Sequence, residues 1–510
     1  MNLRDRPGET ALLAAFALWS VVPLVYLLGP GAEGVFNGSD GLQVDDHMQY
    51  LAFIRDAGEN VLQSNRFDVV SDPHLFLHPV FALSGLLWSL GASVQLAFLV
   101  WKPVAVVALL AGFTLYVRRM VWDSPGASFA ALALALFYFA PAAALAEWLG
   151  ASEELRFATL VMSLEPYVAS YPWSGFPGAI SVACMPLFLL AVERVLVPER
   201  RAPGRSARWY AGWAGMAGLL ASWLHPWQGI ILLSIVAGLV VWDRFDRRHL
   251  ALALPVALTA APLAYFFVLS HTDSSWAYAS RTNGFEHFGS WLVLGLAPAL
   301  AALPGFRGRD LDVQERMLRL WPVAAFAVYF ALQQSWFYHA FGGLSLPLSI
   351  LAVRAWRRFE LPRAAAVAAL VALILPGLIF MVLELREARA DHFFKSDERR
   401  ALSYLDAAER EGAVLAPQAP LGSAVPGFTG RNTYVGNYYW TPDYDRRVQQ
   451  ADALFSGALT RAQAGALLQT SRAVFLAADC GQRADLAAFL EPWLKDIRRF
   501  GCATVYELEP

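Results

Sequence analysis

Apolar residues run in long blocks along most of the chain, and polar residues collect between the blocks and after residue 385. A helix rises 1.5 Å per residue, so about 20 mainly apolar residues cross the ~30 Å hydrocarbon layer of a bilayer. That length predicts eleven spans, at 11–29, 94–120, 127–149, 175–196, 208–224, 226–242, 249–270, 288–304, 318–334, 341–356 and 362–384. Arg4 and Arg6 precede the first block as they would in a signal peptide. Its apolar run is long and no small-residue cleavage pattern follows, so it reads as an uncleaved span.

Cations set the orientation, because Lys and Arg are retained on the cytoplasmic side. Under eleven spans, twenty cations fall in loops on one side, among them Arg118, Arg119, Arg200, Arg316 and Arg354. Four fall in the opposite loops before residue 385: Arg55, Arg66, Arg156 and Arg281. The N-terminus is thereby expected in the cytoplasm and the tail outside the cytoplasmic (inner) membrane. One more apolar stretch, 75–91, would invert every later loop if it crossed. The charge pattern therefore predicts that it lies in the outer interface or re-enters.

The expected organisation is a first span at 1–29, an outer loop at 30–93 with interfacial helices, a membrane body at 94–384 and an extracytoplasmic tail at 385–510. In the tail, GAVLAPQ, AVFLAAD and CATVYELE read as short buried strands. DERRALSYLDAAERE, YDRRVQQADALF and ADLAAFLEPWLKDIRRF read as helices. The predicted fold class is an α-helical polytopic membrane protein with a small C-terminal α/β domain. With 484–499 as a crossover helix, the last two strands run parallel, and Cys480 and Cys502 lie too far apart to bridge.

Composition narrows the class. The chain is 57% hydrophobic and 16% charged, against about 45–50% and ~25% in soluble domains. A net charge of −2 offers no field for a polyanion, so no nucleic-acid partner is expected. Eighteen Trp and 33 Phe suit a membrane protein with aromatic belts.

The first outer loop carries the candidate chemistry. Asp45 and Asp46 open a stretch whose Tyr50, Phe53, Ile54, Ala57 and Val61 share one helical face. Carboxylates at a membrane surface can take a proton from a hydroxyl or hold a divalent cation. Asp46 also stands three residues before Gln49, a capping-box spacing that would make it a helix cap. Capping employs one of the pair and leaves the other acid unexplained.

A first outer loop with Asp-Asp, an amphipathic helix bearing Tyr and Arg, and an apolar helix skimming the membrane resembles the GT-C superfamily of polyprenyl-phosphate-dependent glycosyltransferases. That superfamily includes the protein O-mannosyltransferase and aminoarabinose-transferase types. The family's D-x-x-x-Y pattern falls on Asp46, His47, Met48, Gln49 and Tyr50, with Arg55 following. Where the family often has Asp-Glu, this chain has Asp46-His47, or Asp45-Asp46 one register earlier, which leaves open which Asp is the base. The resemblance implies direct displacement at a sugar's anomeric carbon. The donor is a polyprenyl-phosphate-linked sugar and the acceptor a hydroxyl of a glycan, lipid or protein. His47, Tyr50 and Arg55 would bind substrate, and an acid in the second outer loop, Glu165, would assist.

Other candidates lie on the same side. Arg281 could meet a lipid phosphate, or lipid headgroups alone, and His225, at the tight outer turn between the fifth and sixth spans, is a further substrate-binding candidate. Lys102 sits about 12 Å inside the second span, where an ionisable group is either functional or snorkels outward. His74 and His78 have the i,i+4 spacing of a metal pair, but Pro79 interrupts a helix there. No cofactor is required, and a divalent cation is admissible. Trp173, Trp276, Tyr278, Trp336 and Tyr338 gather outside, as sugar platforms or as belt residues. A transporter or flippase of lipid-linked sugars is the alternative class. It should show internal repeats and ionisable residues at the midplane, whereas here the acids cluster in one outer loop. A non-catalytic scaffold would have no use for that loop.

Overall fold

The structure, a computed structural model, describes all residues except 1–5, 71, 122, 283–294, 308–310, 333–335, 358–361, 482–483 and 510. The chain folds as two compact units. The first comprises Met1–Pro23, Lys102–Val268 and Gly284–Arg386; the second comprises Leu24–Trp101, Leu269–Asn283 and Glu387–Pro510.

Helices lie within every expected span; of 288–304, residues 288–294 lie outside the described residues and Ala297–Ala302 is helical. Five described helices are long and apolar enough to cross a membrane: Pro7–Leu27, Val94–Met120, Phe176–Leu196, Arg247–Thr272 and Arg363–His392. The pair Pro125–Phe137 and Pro141–Trp148, bent by 50°, makes a sixth if it counts as one span. Pro141 is the cause, since its ring and missing N–H break the hydrogen-bond ladder.

In the first unit, Phe176–Leu196 is almost wholly buried and packs along Ala207–Leu224. Helix Trp101–Met120 passes so close that a Cβ on Gly112 would lie 2.5 Å from the Ala183 carbonyl oxygen. Helices at the periphery instead expose large apolar side chains, such as Leu18 at 68% and Val367 at 60%. Exposed apolar stripes of that length are stable against lipid tails and not against water. The chain is a multi-pass membrane protein.

Arginines from separate loops meet acids at the helix ends of this unit. Arg118 bonds Glu9 at 2.7 Å, Arg119 reaches Glu193 at 2.5 Å and Asp312 at 2.7 Å, and Arg354 reaches Glu315 at 2.7 Å. Asp243 accepts from both Arg248 and Arg316. These half-buried pairs tie the ends of six non-consecutive segments together.

In the second unit, helix Val44–Asn60 is buried on two sides, against Pro79–Ser89 and against Ser423–Thr429. Its buried set includes Met48, Leu51 and Ala52 as well as Phe53, Ile54 and Ala57. That is a wider face than the one expected to lie on the membrane, because tail residues cover its far side. Val61, expected on the buried face, is 67% exposed and has a positive φ of 69° at the helix end. Helix Pro79–Ser89 has 11 residues, roughly 16 Å at 1.5 Å each, too short to cross.

Two short strands, β1 (Val35–Phe36) and β2 (Phe393–Phe394), pair antiparallel and pin the start of the first loop to the start of the tail. The tail carries a four-stranded sheet of β3 (Ala413–Leu415), β4 (Ala473–Ala478), β5 (Leu494–Phe500) and β6 (Ala503–Leu508), in the order β3-β4-β6-β5. β3 and β4 are parallel; β4–β6 and β5–β6 are antiparallel. Helices Tyr444–Phe455 and Arg461–Ser471 bury Leu454, Leu467 and Leu468 against Leu415, Leu476 and Tyr506 of the sheet.

This arrangement corrects the expectation for 484–499. Helix is confined there to Ala487–Leu490, Pro492 stops it, and Leu494–Phe500 is a strand. The β5–β6 hairpin turns at Gly501, whose φ is +77°. β6 then runs antiparallel to β4, so Cys502 arrives beside the end of β4 and is bonded to Cys480, with Cα atoms 4.8 Å apart. The disulfide judged too long is present because the strands oppose.

Candidate active site

Helix Val44–Asn60 begins at Gln43, which makes no side-chain capping bond. Asp45 and Asp46 occupy the first turn, so neither is the N-cap and the capping reading of Asp46 falls. Both carboxylates sit at the positive end of the helix dipole. Their surroundings differ. Asp46 is half-buried. Asp45 is open to solvent, yet protein surrounds it so densely that burial raises its carboxyl above the usual range. A hydrogen bond from Gln418 offsets part of that rise, and the Asp391 charge adds to it. Asp45 thus combines solvent access with dense protein surroundings. Gln418 also donates to the Gly436 carbonyl at 3.2 Å, which ties the Asp45 surroundings to the loop 436–444 of the tail.

The next residues of the motif hold the helix start. His47 is fully buried, with its Nδ1 2.6 Å from the Ser39 hydroxyl. Ser39 in turn accepts at its carbonyl from His392 Nδ1 at 2.7 Å, and the His392 ring is buried. Tyr50 is half-buried against Phe81 and Phe98, with ring centroids at 5.5 and 5.8 Å. Arg55 lies ten residues beyond Asp45, about 15 Å along the helix. It donates to Glu59 at 2.7 Å and Asp406 at 2.9 Å and stacks on Trp88 at 4.3 Å.

His74 and His78 do not share a helical face, since 72–77 is irregular and His78 caps Pro79–Ser89. His74 is spent on Asp56, at 3.2 Å, and His78 packs on Phe81 at 4.3 Å. Asp56, which the sequence did not single out, is a buried hub that also accepts from Arg66, Asn60 and the Ser64 backbone. Among the described residues one group of three potential metal ligands lies together, Asp397, Cys480 and Cys502. Its sulfurs are bonded to each other, and Asp397 accepts from the Cys502 backbone at 2.9 Å, so the group serves the hairpin and offers no thiolate. Arg281 lies in the last turn of helix Ser274–Thr282 with an exposed side chain that donates to the Ala277 carbonyl at 2.9 Å.

The first unit holds a second polar cluster. Glu165 accepts from Trp336 Nε1 at 2.7 Å and pairs with His339 Nδ1 at 2.7 Å. The His339 ring meets that of His225 edge-on, with centroids 4.4 Å apart. His339, missed in the sequence, comes from the short turn Phe337–Phe341, which has no periodic signal. Lys102 is 3% exposed and does not snorkel. Its Nζ donates to the carbonyls of Ser20 at 2.6 Å and Pro172 at 2.7 Å. Pro23, inside the first helix, cannot bond the Trp19 carbonyl, and the Trp173 indole takes that acceptor at 2.9 Å.

No family model and no curated protein matches the chain. Its fold is similar to that of an archaeal oligosaccharyltransferase, AglB from Archaeoglobus fulgidus. One structure, with an inhibitory peptide and a dolichol-phosphate, is 15% identical over 96% of this chain and 72% of that one, at TM-score 0.52. Another, tethered to an acceptor peptide, gives 14%, 96%, 72% and 0.53. ArnT from Cupriavidus metallidurans bound to undecaprenyl phosphate gives 13% identity, 98% of both chains and 0.49. At these identities the likeness is one of fold: the chain shares the fold of this archaeal oligosaccharyltransferase, in keeping with the resemblance carried by its first loop.

Proposed function

We propose that this membrane protein transfers a monosaccharide from a polyprenyl-phosphate donor to a hydroxyl acceptor outside the cytoplasmic membrane, with Asp45 as the general base. One observation carries the reading: a solvent-open carboxylate at the start of a buried helix, with its pKa raised toward the range where a base is effective. In the step, the acceptor hydroxyl gives its proton to Asp45. Its oxygen attacks the anomeric carbon, and the bond from that carbon to the phosphate oxygen breaks. The electron pair leaves on the polyprenyl phosphate, where a cation such as the exposed Arg281 guanidinium would hold it. A divalent cation, with Asp46 as an acidic ligand, would supply the same charge to the phosphate and leave Asp45 as the base. Glu165 and Lys102 serve the helical body: the first orients His339, and the second clamps two backbone carbonyls. The Cys480–Cys502 bond supports an outer location for the tail, because such bonds persist in oxidising compartments.

The test is purified protein in detergent with a panel of polyprenyl-phosphate hexoses and pentoses, read by mass spectrometry. Asp45→Asn is expected to lose transfer by at least about a hundredfold while keeping its fold and insertion. Asp46→Asn should lose less. Full activity in the double variant sinks the base assignment.

A further inference from the structure

Hydrogen bonds from within and from three other segments brace the loop 436–444. Asn437 accepts from the Tyr439 N–H at 2.9 Å and, at its carbonyl, from the Thr441 N–H at 2.9 Å. The Thr441 hydroxyl donates to the Phe67 carbonyl at 3.1 Å, Asn65 donates to the Trp440 carbonyl at 2.9 Å, and Tyr278 donates to the Thr441 carbonyl at 3.2 Å. On this rigid base Tyr438 is 41% exposed. Its ring stands between those of Tyr439 and Tyr444, with centroids at 5.3 and 5.2 Å and near-perpendicular planes. Folding has no need of an exposed tyrosine on a preorganised loop, and ligands do, because the ordering cost is already met.

Three properties fix the ligand class. The platform is aromatic, which suits the apolar C–H face of a sugar ring. Its charges are mixed, with Asp45, Asp445 and Asp452 acting on Tyr444 and Arg446 and Arg447 acting on Tyr434, so no single sign dominates and a neutral saccharide is suited. The loop is also no open sheet edge, the feature on which a peptide would add as a strand.

We propose that loop 436–444 is the acceptor subsite and that the acceptor is a glycan, whose terminal ring stacks on Tyr438 and presents its hydroxyl to Asp45. The Gln418 side chain, bonded to both Asp45 and the Gly436 carbonyl, fixes the platform relative to the base. This rests on the reading of Asp45 as the base.

The experiment uses the full chain in detergent and saturation-transfer NMR. The probes are neutral mannan, arabinan and glucan tetrasaccharides and a Ser/Thr-rich octapeptide. At least one tetrasaccharide is expected to bind wild-type and Asp45→Asn protein equally. Tyr438→Ala should weaken that binding roughly five- to tenfold, and Tyr438→Trp should restore it. In turnover, Tyr438→Ala should raise the acceptor KM with kcat nearly unchanged. Tetrasaccharide binding indifferent to Tyr438 overturns the proposal, and so does Tyr438-dependent binding of the octapeptide alone. Turnover that survives Asp45→Asn while Tyr438-dependent binding persists would remove the base reading and leave the subsite standing.

Discussion

Asp45 and Asp46 are neighbours in sequence with different electrostatic lives. Burial and the Asp391 charge hold the Asp45 carboxyl above its usual pKa, and the Gln418 bond pulls the other way. A base must be ionised, so transfer should fall as pH drops through that raised value. Asp391→Asn removes a like charge and should move the acid limb of kcat/KM to lower pH. Gln418→Ala removes a stabilising bond and should move it higher. Limbs that coincide in both variants would detach the limb from Asp45. The same shift has a stability sign. The folded pKa exceeds the unfolded one, so ionising Asp45 destabilises the fold as pH rises through it. Asp45→Asn should therefore melt at pH 7 no lower than the parent. Glu165 and Lys102 stood out in the sequence because charge interrupts an apolar pattern there, and Asp45 because an acid pair opens an amphipathic stretch. Gln418, Asp391 and His339 were not: each stands in a polar or irregular stretch and gains meaning only from a partner far away in sequence.

Apolar blocks of about twenty residues are strong signals, and helices stand at nearly all of them. The weak signals were in the tail. ADLAAFLEPWLKDIRRF has helical periodicity, yet its second half pairs with β6, since Pro492 ends the helix and the turn at Gly501 permits a hairpin. A Cβ at Gly501 would lie 2.1 Å from Asp397 Oδ2, so the glycine is needed for space as well as for its φ. That one change of element reverses a strand direction and joins Cys480 to Cys502, 22 residues apart. Closing a loop of that length stabilises by about 3 kcal/mol in the chain-entropy account. Cys480→Ser with Cys502→Ser should lower the melting temperature. Denatured native protein should bind one maleimide, at Cys184, and three after reduction. Three without reductant would mean the bond does not form.

Across the whole chain, orientation is a balance of charge. The arginine–acid pairs join the N-terminal segment, the loops near residues 120, 200 and 245, and the helix ends near 313 and 354. These are the segments that the cation count assigns to the cytoplasm, and pairs at such depth persist only where both loops lie on one face. The first loop and the tail are linked through β1–β2 and through Asn37, which donates to the Asp391 carbonyl at 2.8 Å. A chain that puts one of them outside therefore puts both outside. Single cysteines test this in intact cells with a membrane-impermeant maleimide. Ala92→Cys, just past the 11-residue helix Pro79–Ser89, should label from outside. Ala202→Cys, exposed among arginines, should label only after the membrane is opened. If Cys at 92 needs permeabilisation too, the eleven-span orientation fails, and with it the exterior placement of the Asp45 loop that the transfer reading requires.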